Sequence, residues 1–366
     1  MTRQRDVAAL ILSMVTLGSS VTGAESLPLQ FRPPVGQKQT LQVTSHVSTV
    51  PVTPSDTDRT ERHWILTMEL EPLAVAADGN VTIRVTLRRI QHKLFAIRKG
   101  KEFYMFDLDS ADEKRRNEQQ MGMCLAPIGE SFAVVISARG RVQKVDTEAF
   151  CVAVARKRMQ YEDEAIRRET IRIRAWGYRN EDEATRQKHL QADADKAVRA
   201  ENRRFGSAAK REQLYRDCAV EFHLYSLEKL RRSLLDVLIP FPDQPVAKDG
   251  RWTAPVMMRA DGPIELEGTY TVKSQDNSTC TIQVEARRTM EDQSTTAPEV
   301  PEEHRTRLAG TYHATLKIDR TTGVLLSKEA SMDLTGRTST YMPDIPSSGK
   351  ILEITVKATT TVEVVH

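Results

Sequence analysis

Along two long stretches of the chain, apolar and polar residues alternate with a period of two, and between those stretches the alternation stops. In "HWILTMELE" (63–71), Trp64, Leu66, Met68 and Leu70 share one parity. In "LEITVKATTTVEV" (352–364), Leu352, Ile354, Val356, Ala358, Val362 and Val364 share one parity, with Glu353, Thr355, Lys357 and Glu363 on the other. Successive strand side chains point to opposite faces, so these runs predict long antiparallel strands with one packed face and one wet face. Long, twisted, one-sided sheets curl into half-barrels or barrels.

Two of the strands nearly repeat each other. "TIRVTLRR" (82–89) follows a turn signal, "AADG", and "TIQVEARR" (281–288) follows another, "SQDN". Downstream of the first stands "GESFAVVISARGRVQKV" (129–145), and downstream of the second "GTYHATLKIDRTTGVLLSK" (310–328). Each reads as a glycine, a strand opened by an aromatic, a glycine-bearing turn and a second strand. Upstream, "GQKQTLQV" (36–43) sets against "GRWTAPVM" (250–257). Three landmarks in the same order point to an internal duplication. Ile83, Val85, Ile282 and Val284 are then core positions, with Arg84 and Gln283 in water. Cys280 shares the parity of Ile282 and Val284 and reads as a buried thiol.

From about 153 to 239 the texture becomes helical and charged. Asp163–Arg167, Glu164–Arg168, Asp182–Arg186, Asp195–Arg199, Glu212–Arg216 and Glu228–Arg232 are spaced i, i+4 with the acid N-terminal, the orientation that supports a helix. Gly177 is placed to close one helix and Asn180 with Glu183 to cap the next. Ser226 is placed to start a last helix that stops at Pro240. Between Arg179 and Arg204 the large apolar residues are essentially Leu190 and Val198, so this part should project from the body or pair weakly.

The first residues, "MTRQRDVAALILSMVTLGSSVTGAES", combine Arg3 and Arg5, an apolar run from Val7 to Leu17 and small residues ending at Ala24. That is the layout of a secretory signal peptide cleaved after Ala24. The run is too short to span a bilayer. The expected location is periplasmic or secreted, and no later stretch is apolar enough for a membrane span. The expected organisation is thus a signal peptide (1–24), a first β-rich unit (25–152), a charged helical insert (153–239) and a second β-rich unit (240–366). The fold class is α+β, two related antiparallel half-barrel-like sheet units joined by the insert.

With both β-rich units in view, "LPLQFRPPVGQKQTLQVTSHV", "IPFPDQPVAKDGRWTA" (239–254) and "DRTTGVLLSKEASMDL" (319–334) resemble a family of exported bacterial proteins of unknown function, common in planctomycetes and related bacteria. The likeness spans the β-rich units and not the charged part of the insert. It implies a fold and a location, not a mechanism.

Composition and motifs then remove most chemistry. The 53 basic and 50 acidic residues leave a net charge of +3, which gives no global pull toward nucleic acid. The insert is the basic part, and "RRETIRIRAWGYR" (167–179) sets arginines around Trp176 and Tyr178. Its interleaved acids and the export signal argue against nucleic acid and for a solvated arm. Cys124, Cys151, Cys218 and Cys280 allow three pairings among which spacing does not choose, and no C-x-x-C occurs. Asp107, Asp109 and Glu118 match part of a calcium loop, but Asp112 stands where glycine is needed. His46, His63 and His313 sit at outward strand positions, His189 and His223 lie in the helical region, and His366 ends the chain. No metal-binding spacing occurs among them. Ser131 in "GESFA" continues a strand, which excludes a nucleophile elbow. No catalytic, cofactor-binding or metal residue is therefore assigned, and no cofactor is expected. The leading expectation is a non-catalytic envelope or extracellular binding protein that holds an apolar ligand or an envelope partner between curved sheets. The alternative is a scaffold acting through the helical arm, with an enzyme third.

Overall fold

The alternating stretches fold as strands whose buried and exposed residues follow the parity of the sequence. The computed structural model describes residues 28–52, 59–98, 101–112, 125–221, 234, 236–259, 263–289, 307–339 and 351–365. The first half carries β1 (Gln39–Pro51), β2 (Arg59–Val75), β3 (Val81–Arg98), β4 (Lys101–Asp109), β5 (Ser131–Ile136) and β6 (Val142–Asp146). Three helices follow among the described residues: α1 (Glu148–Arg174), α2 (Glu183–Arg204) and α3 (Ala208–Glu221). The second half carries β7 (Arg251–Arg259), β8 (Pro263–Gln275), β9 (Thr279–Arg288), β10 (Arg307–Asp319), β11 (Leu325–Ser339) and β12 (Ile351–Val365). The signal-like residues 1–24, Cys124, Glu118, His223, His366, Ser226 and the Glu228–Arg232 pair lie outside the described residues.

All the strands among the described residues belong to one antiparallel sheet in the order β6-β5-β3-β2-β1-β12-β11-β10-β9-β8-β7, with β4 also pairing β3. The sequence suggested two sheet units, but the two β-rich runs form one sheet. β1 and β12, near opposite ends of the chain, join them from Thr40↔Val365 to Pro51↔Ile354. The sheet is open, and its edges are β6 and β7. Pro255 is tolerated in β7 because an edge strand has one side without a ladder.

One sheet face carries the core. Leu41, Val43, Leu66, Met68, Ile83, Val85, Ile282, Val284, Leu334, Val356 and Val362 are all buried and contiguous. Arg84 and Gln283, one residue out of phase, are exposed. Cys280 and Cys151 are buried free thiols, and burial pushes the Cys280 thiol up to about 11.

Two covering segments close the packed face. Phe31 N–H donates to the Ala138 carbonyl at 2.8 Å, and Phe241 N–H donates to the Arg139 carbonyl at 2.8 Å, both in the β5–β6 turn. Arg32 N–H donates to Thr322 in the β10–β11 turn at 2.7 Å. Gly140 (φ 71°) and Gly323 (φ 67°) sit at these turns, and each lies against the ring of Phe241. The turns are six strand spacings apart in the sheet order, about 29 Å if the sheet were flat. One ring touches both only because the sheet curls.

The helical segment packs mainly on itself. At its start, Phe150 meets Phe132 edge-on at 5.4 Å, and Lys157 donates to the Ile128 carbonyl and pairs with Glu130 at 3.3 Å. Beyond that, α2 buries Leu190, Ala194 and Val198, one helical stripe. Arg211 of α3 is fully buried and bonds Asp163 at 2.6 Å and Glu162 at 2.9 Å on α1, and Asn202 at 3.1 Å on α2. The acids expected to pair along a helix pair across helices instead: Asp195 with Arg167 at 3.3 Å and Glu212 with Arg156 at 2.9 Å. Arg216 likewise meets Glu148 at 3.0 Å, and Arg186 pairs with Glu183 within its own helix. Adjacent helices offer acids such as Asp195 and Glu212 a cation across the gap, which single-helix spacing does not reveal. The cap of α2 is Asp182, which accepts from Thr185 N–H at 3.1 Å, and not Asn180. Asp182 has the extended backbone of a cap residue next to the first helical turn.

Candidate ligand site

At the end of the sheet where β1 begins and β12 finishes, the covering segments stand off from the packed face and leave a half-open cleft of about 470 Å³. Its sheet wall is Leu41, Leu70, Ile83 and Val364, which share the inward parity of β1, β2, β3 and β12. Its other wall is Phe31, Val237 and Leu238 from the covering segments, with Leu325 at the start of β11. The volume falls in the range of small-molecule sites, about 300–1,000 Å³, and the lining is largely apolar, as such sites are.

The polar rim is mostly satisfied internally. Lys38 pairs with Glu69 at 3.0 Å, and that bond holds the Glu69 carboxyl below its usual range. Gln39 Nε2 donates to the Leu325 carbonyl at 2.9 Å. Asp319 accepts from Thr321 N–H, Thr322 N–H and the Thr322 hydroxyl, which spends it on its own turn. Recognition in this cleft therefore rests on shape and apolar contact, with Lys38 as the cation at the mouth.

Next to the core lies a polar pair that sequence reasoning missed. Lys328 Nζ is buried 3.4 Å from Asp236 Oδ1 and donates to the Asp236 carbonyl at 3.3 Å. Burial disfavours its ammonium, but Tyr312 and Asp236 more than offset that and hold its pKa above the ordinary lysine value. The signal was available, because Lys328 has the inward parity of Met332 and Leu334. The pair ties the covering segment to β11. Breaking one side of such a pair is costly because it strands the other charge.

Asp107 and Asp109 lie on β4 and not in a loop, and Asp109 binds Arg89 at 2.6 Å. Ser131 opens β5 and shares a hydrogen bond of 2.8 Å with Thr86. Trp176 is 72% exposed, with Arg179 over its ring at 4.2 Å, and Tyr178 donates to Asp193 at 2.9 Å. His189 bonds Glu181 at 2.9 Å. His46, His63 and His313 all lie on the polar face, in one cross-strand row that runs His63, His46, Thr359, Ser331, His313. His313 borders a shallow groove of about 420 Å³ with Glu285 and Glu329. His46 and His63 are not isolated solvated side chains. They stack at 4.1 Å, and His46 Nε2 lies 2.6 Å from the buried Glu61. Cys218 lies on α3, away in sequence and element from the strand-borne Cys280.

No helix among the described residues is long and apolar enough to cross a membrane. A model of a family of unknown function (DUF6263) matches residues 204–325, from the last residue of α2 through α3 to the first residue of β11. No curated protein matches the chain. One similar solved structure, described as lipid-protein interactions in lipovitellin, aligns over 91% of this chain and 25% of its own length, at 7% identity and a TM-score of 0.42. The chain thus spans a quarter of that protein.

Proposed function

We propose that this protein is an exported, non-catalytic binding protein that takes up a small apolar or amphipathic molecule in the cleft between the covering segments and the inner sheet face. The carrying observation is the half-open cleft of about 470 Å³ with walls of Phe31, Leu41, Leu70, Ile83, Leu238 and Val364. The signal-like layout of residues 1–24 supports export to the periplasm or the exterior.

The cleft lies at the junction of two halves descended from one plan. In the first, β1, β2, β3, β5 and β6 are successive neighbours, and in the second, β7 through β11 are. The matching octamers fall on the third strand of each, β3 and β9. The covering segments are exchanged: a Cβ on Gly140 of the first half would lie 2.0 Å from the Ile239 carbonyl, and one on Gly323 of the second half 2.2 Å from the Gln30 carbonyl. β4 in the first half and β12 in the second are the additions. Pockets form readily at such junctions.

The test is extraction of protein purified under mild conditions, followed by mass analysis of what is released. A bound apolar or amphipathic compound near one equivalent supports the reading. Protein that carries none, and that binds no dansyl-labelled undecanoic acid, contradicts it. A second reading, a scaffold acting through the arm, rests on Ile173 and Trp176, which are exposed at the end of α1. Loss of a co-purifying protein partner in Trp176→Ala would favour it.

A further inference from the structure

On the opposite, polar face, β1 and β2 bring together three side chains that take no part in the cleft. The register sets His46 directly across from His63. Their rings stack at 4.1 Å with 21° between planes. Glu61 precedes His63 by two residues and so shares its face, and Phe95 stacks against the other side of His63 at 5.6 Å. Ligating atoms of His46, Glu61 and His63 all lie within 4.8 Å of one another.

We propose that His46, Glu61 and His63 form a binding site for one divalent transition-metal ion of the zinc class. Two imidazoles and one carboxylate are a three-ligand set for zinc that leaves a fourth position for water. Calcium and magnesium are excluded by the donors, because both require shells built mainly of oxygen. Bonds of about 2.0–2.2 Å in a tetrahedral shell place donor atoms about 3.4 Å apart. The His46–Glu61 contact of 2.6 Å, a hydrogen bond here, opens by less than about 1 Å to reach that spacing. The cation replaces the proton shared by those two groups.

The second oxygen of Glu61 is already held. Its Oε1 accepts from Ser48 Oγ at 3.1 Å and from Arg59 Nε at 2.9 Å, while Oε2 faces His46. Such outer contacts orient a metal-ligating carboxylate and fix which oxygen binds. Phe95 holds the His63 ring from behind. Arg59, bonded to Glu61, and Lys93, directly across from His63, are cations on the same face, and their charge limits the affinity of the site.

The experiment uses the full, untagged chain, stripped by chelator. Calorimetric titration with Zn²⁺ and visible absorption with Co²⁺ should show one equivalent per chain and the d–d bands of a tetrahedral site. His63→Ala and Glu61→Gln should each weaken Zn²⁺ binding at least tenfold and abolish the bands. His313→Ala, in the same row but three strands from His46, should leave both unchanged. Circular dichroism checks that each variant keeps its sheet. Absence of saturable binding to the parent overturns the proposal, as does equal affinity in folded His46→Ala/His63→Ala. Because the cleft lies on the other face, loss of metal binding leaves uptake of dansyl-undecanoic acid intact.

Discussion

Gly140 approaches Ile239 so closely that a Cβ on it would lie 2.0 Å from the Ile239 carbonyl oxygen. Its φ of 71° is also a conformation that L residues rarely adopt. Gly140→Ala should therefore cost at least about 1–3 kcal/mol, from left-handed strain alone. Gly323→Ala, its counterpart against Gln30, should cost a similar amount. Urea melts measure both, and a cost below about 0.5 kcal/mol at either turn would mean that the covering segments are not clamped there.

The sheet parity predicts a sharp contrast between neighbours. Ile282 is fully buried and Gln283 is exposed. Ile282→Ala should cost about 2–5 kcal/mol. Gln283→Ala should stay within about 0.5 kcal/mol. Equal shifts of the two urea midpoints would contradict the assignment of faces.

These faces were legible because a strand's period of two is written directly in residues such as Trp64 to Leu70 and Leu352 to Val364. The union of the strands into one sheet was not, because Val43↔Val362 pairs residues from opposite chain ends and no local pattern records it. The outward parity of His46 and His63 was likewise readable, but their stacking depends on a register that places them opposite each other. In the helices, spacing identified the acids and bases but not their partners. Asp163 has Arg167 four residues away and bonds Arg211, 48 residues away. Lys328 has the parity of the core, but its charge reads as a solvent position until Asp236 is placed beside it.

Arg211 should be the residue on which the helical arm depends. Its guanidinium bonds groups on α1 and α2 from inside the arm. Removing one partner of a buried ion pair costs about 3–5 kcal/mol. Arg211→Ala should therefore lower helical circular dichroism while the sheet keeps its cooperative transition. Replacing residues 179–204 by a Gly/Ser linker should likewise spare the sheet, because Leu190, Ala194 and Val198 belong to a helical segment that packs mainly on itself. Loss of the sheet transition in either variant would show that the arm is part of the core.

Stability should fall in mild acid through His92. Burial, with Arg62 nearby, lowers its pKa from 6.5 to about 4. Between these values the unfolded chain takes up a proton that the folded chain refuses, so stability is present above about 6.5 and is lost as pH falls toward 4. At about 1.36 kcal/mol per unit, the loss reaches roughly 3 kcal/mol. His92→Gln should show a smaller difference between melts at neutral pH and at the acid end of that window. An unchanged difference would assign the acid sensitivity to other groups.

The central claim is that the cleft between Phe31, Leu238 and the inner sheet face takes an apolar ligand. Val364 lines it from the end of β12 and is only partly buried, so a larger side chain there fills the cleft without entering the core. The direct measurement is a fluorescence titration of dansyl-undecanoic acid into the parent and into Val364→Trp, with circular dichroism to confirm the fold. The account predicts saturable binding near one equivalent by the parent and at least tenfold weaker binding by Val364→Trp. Equal affinity in the two folded proteins would place the ligand elsewhere and contradict it.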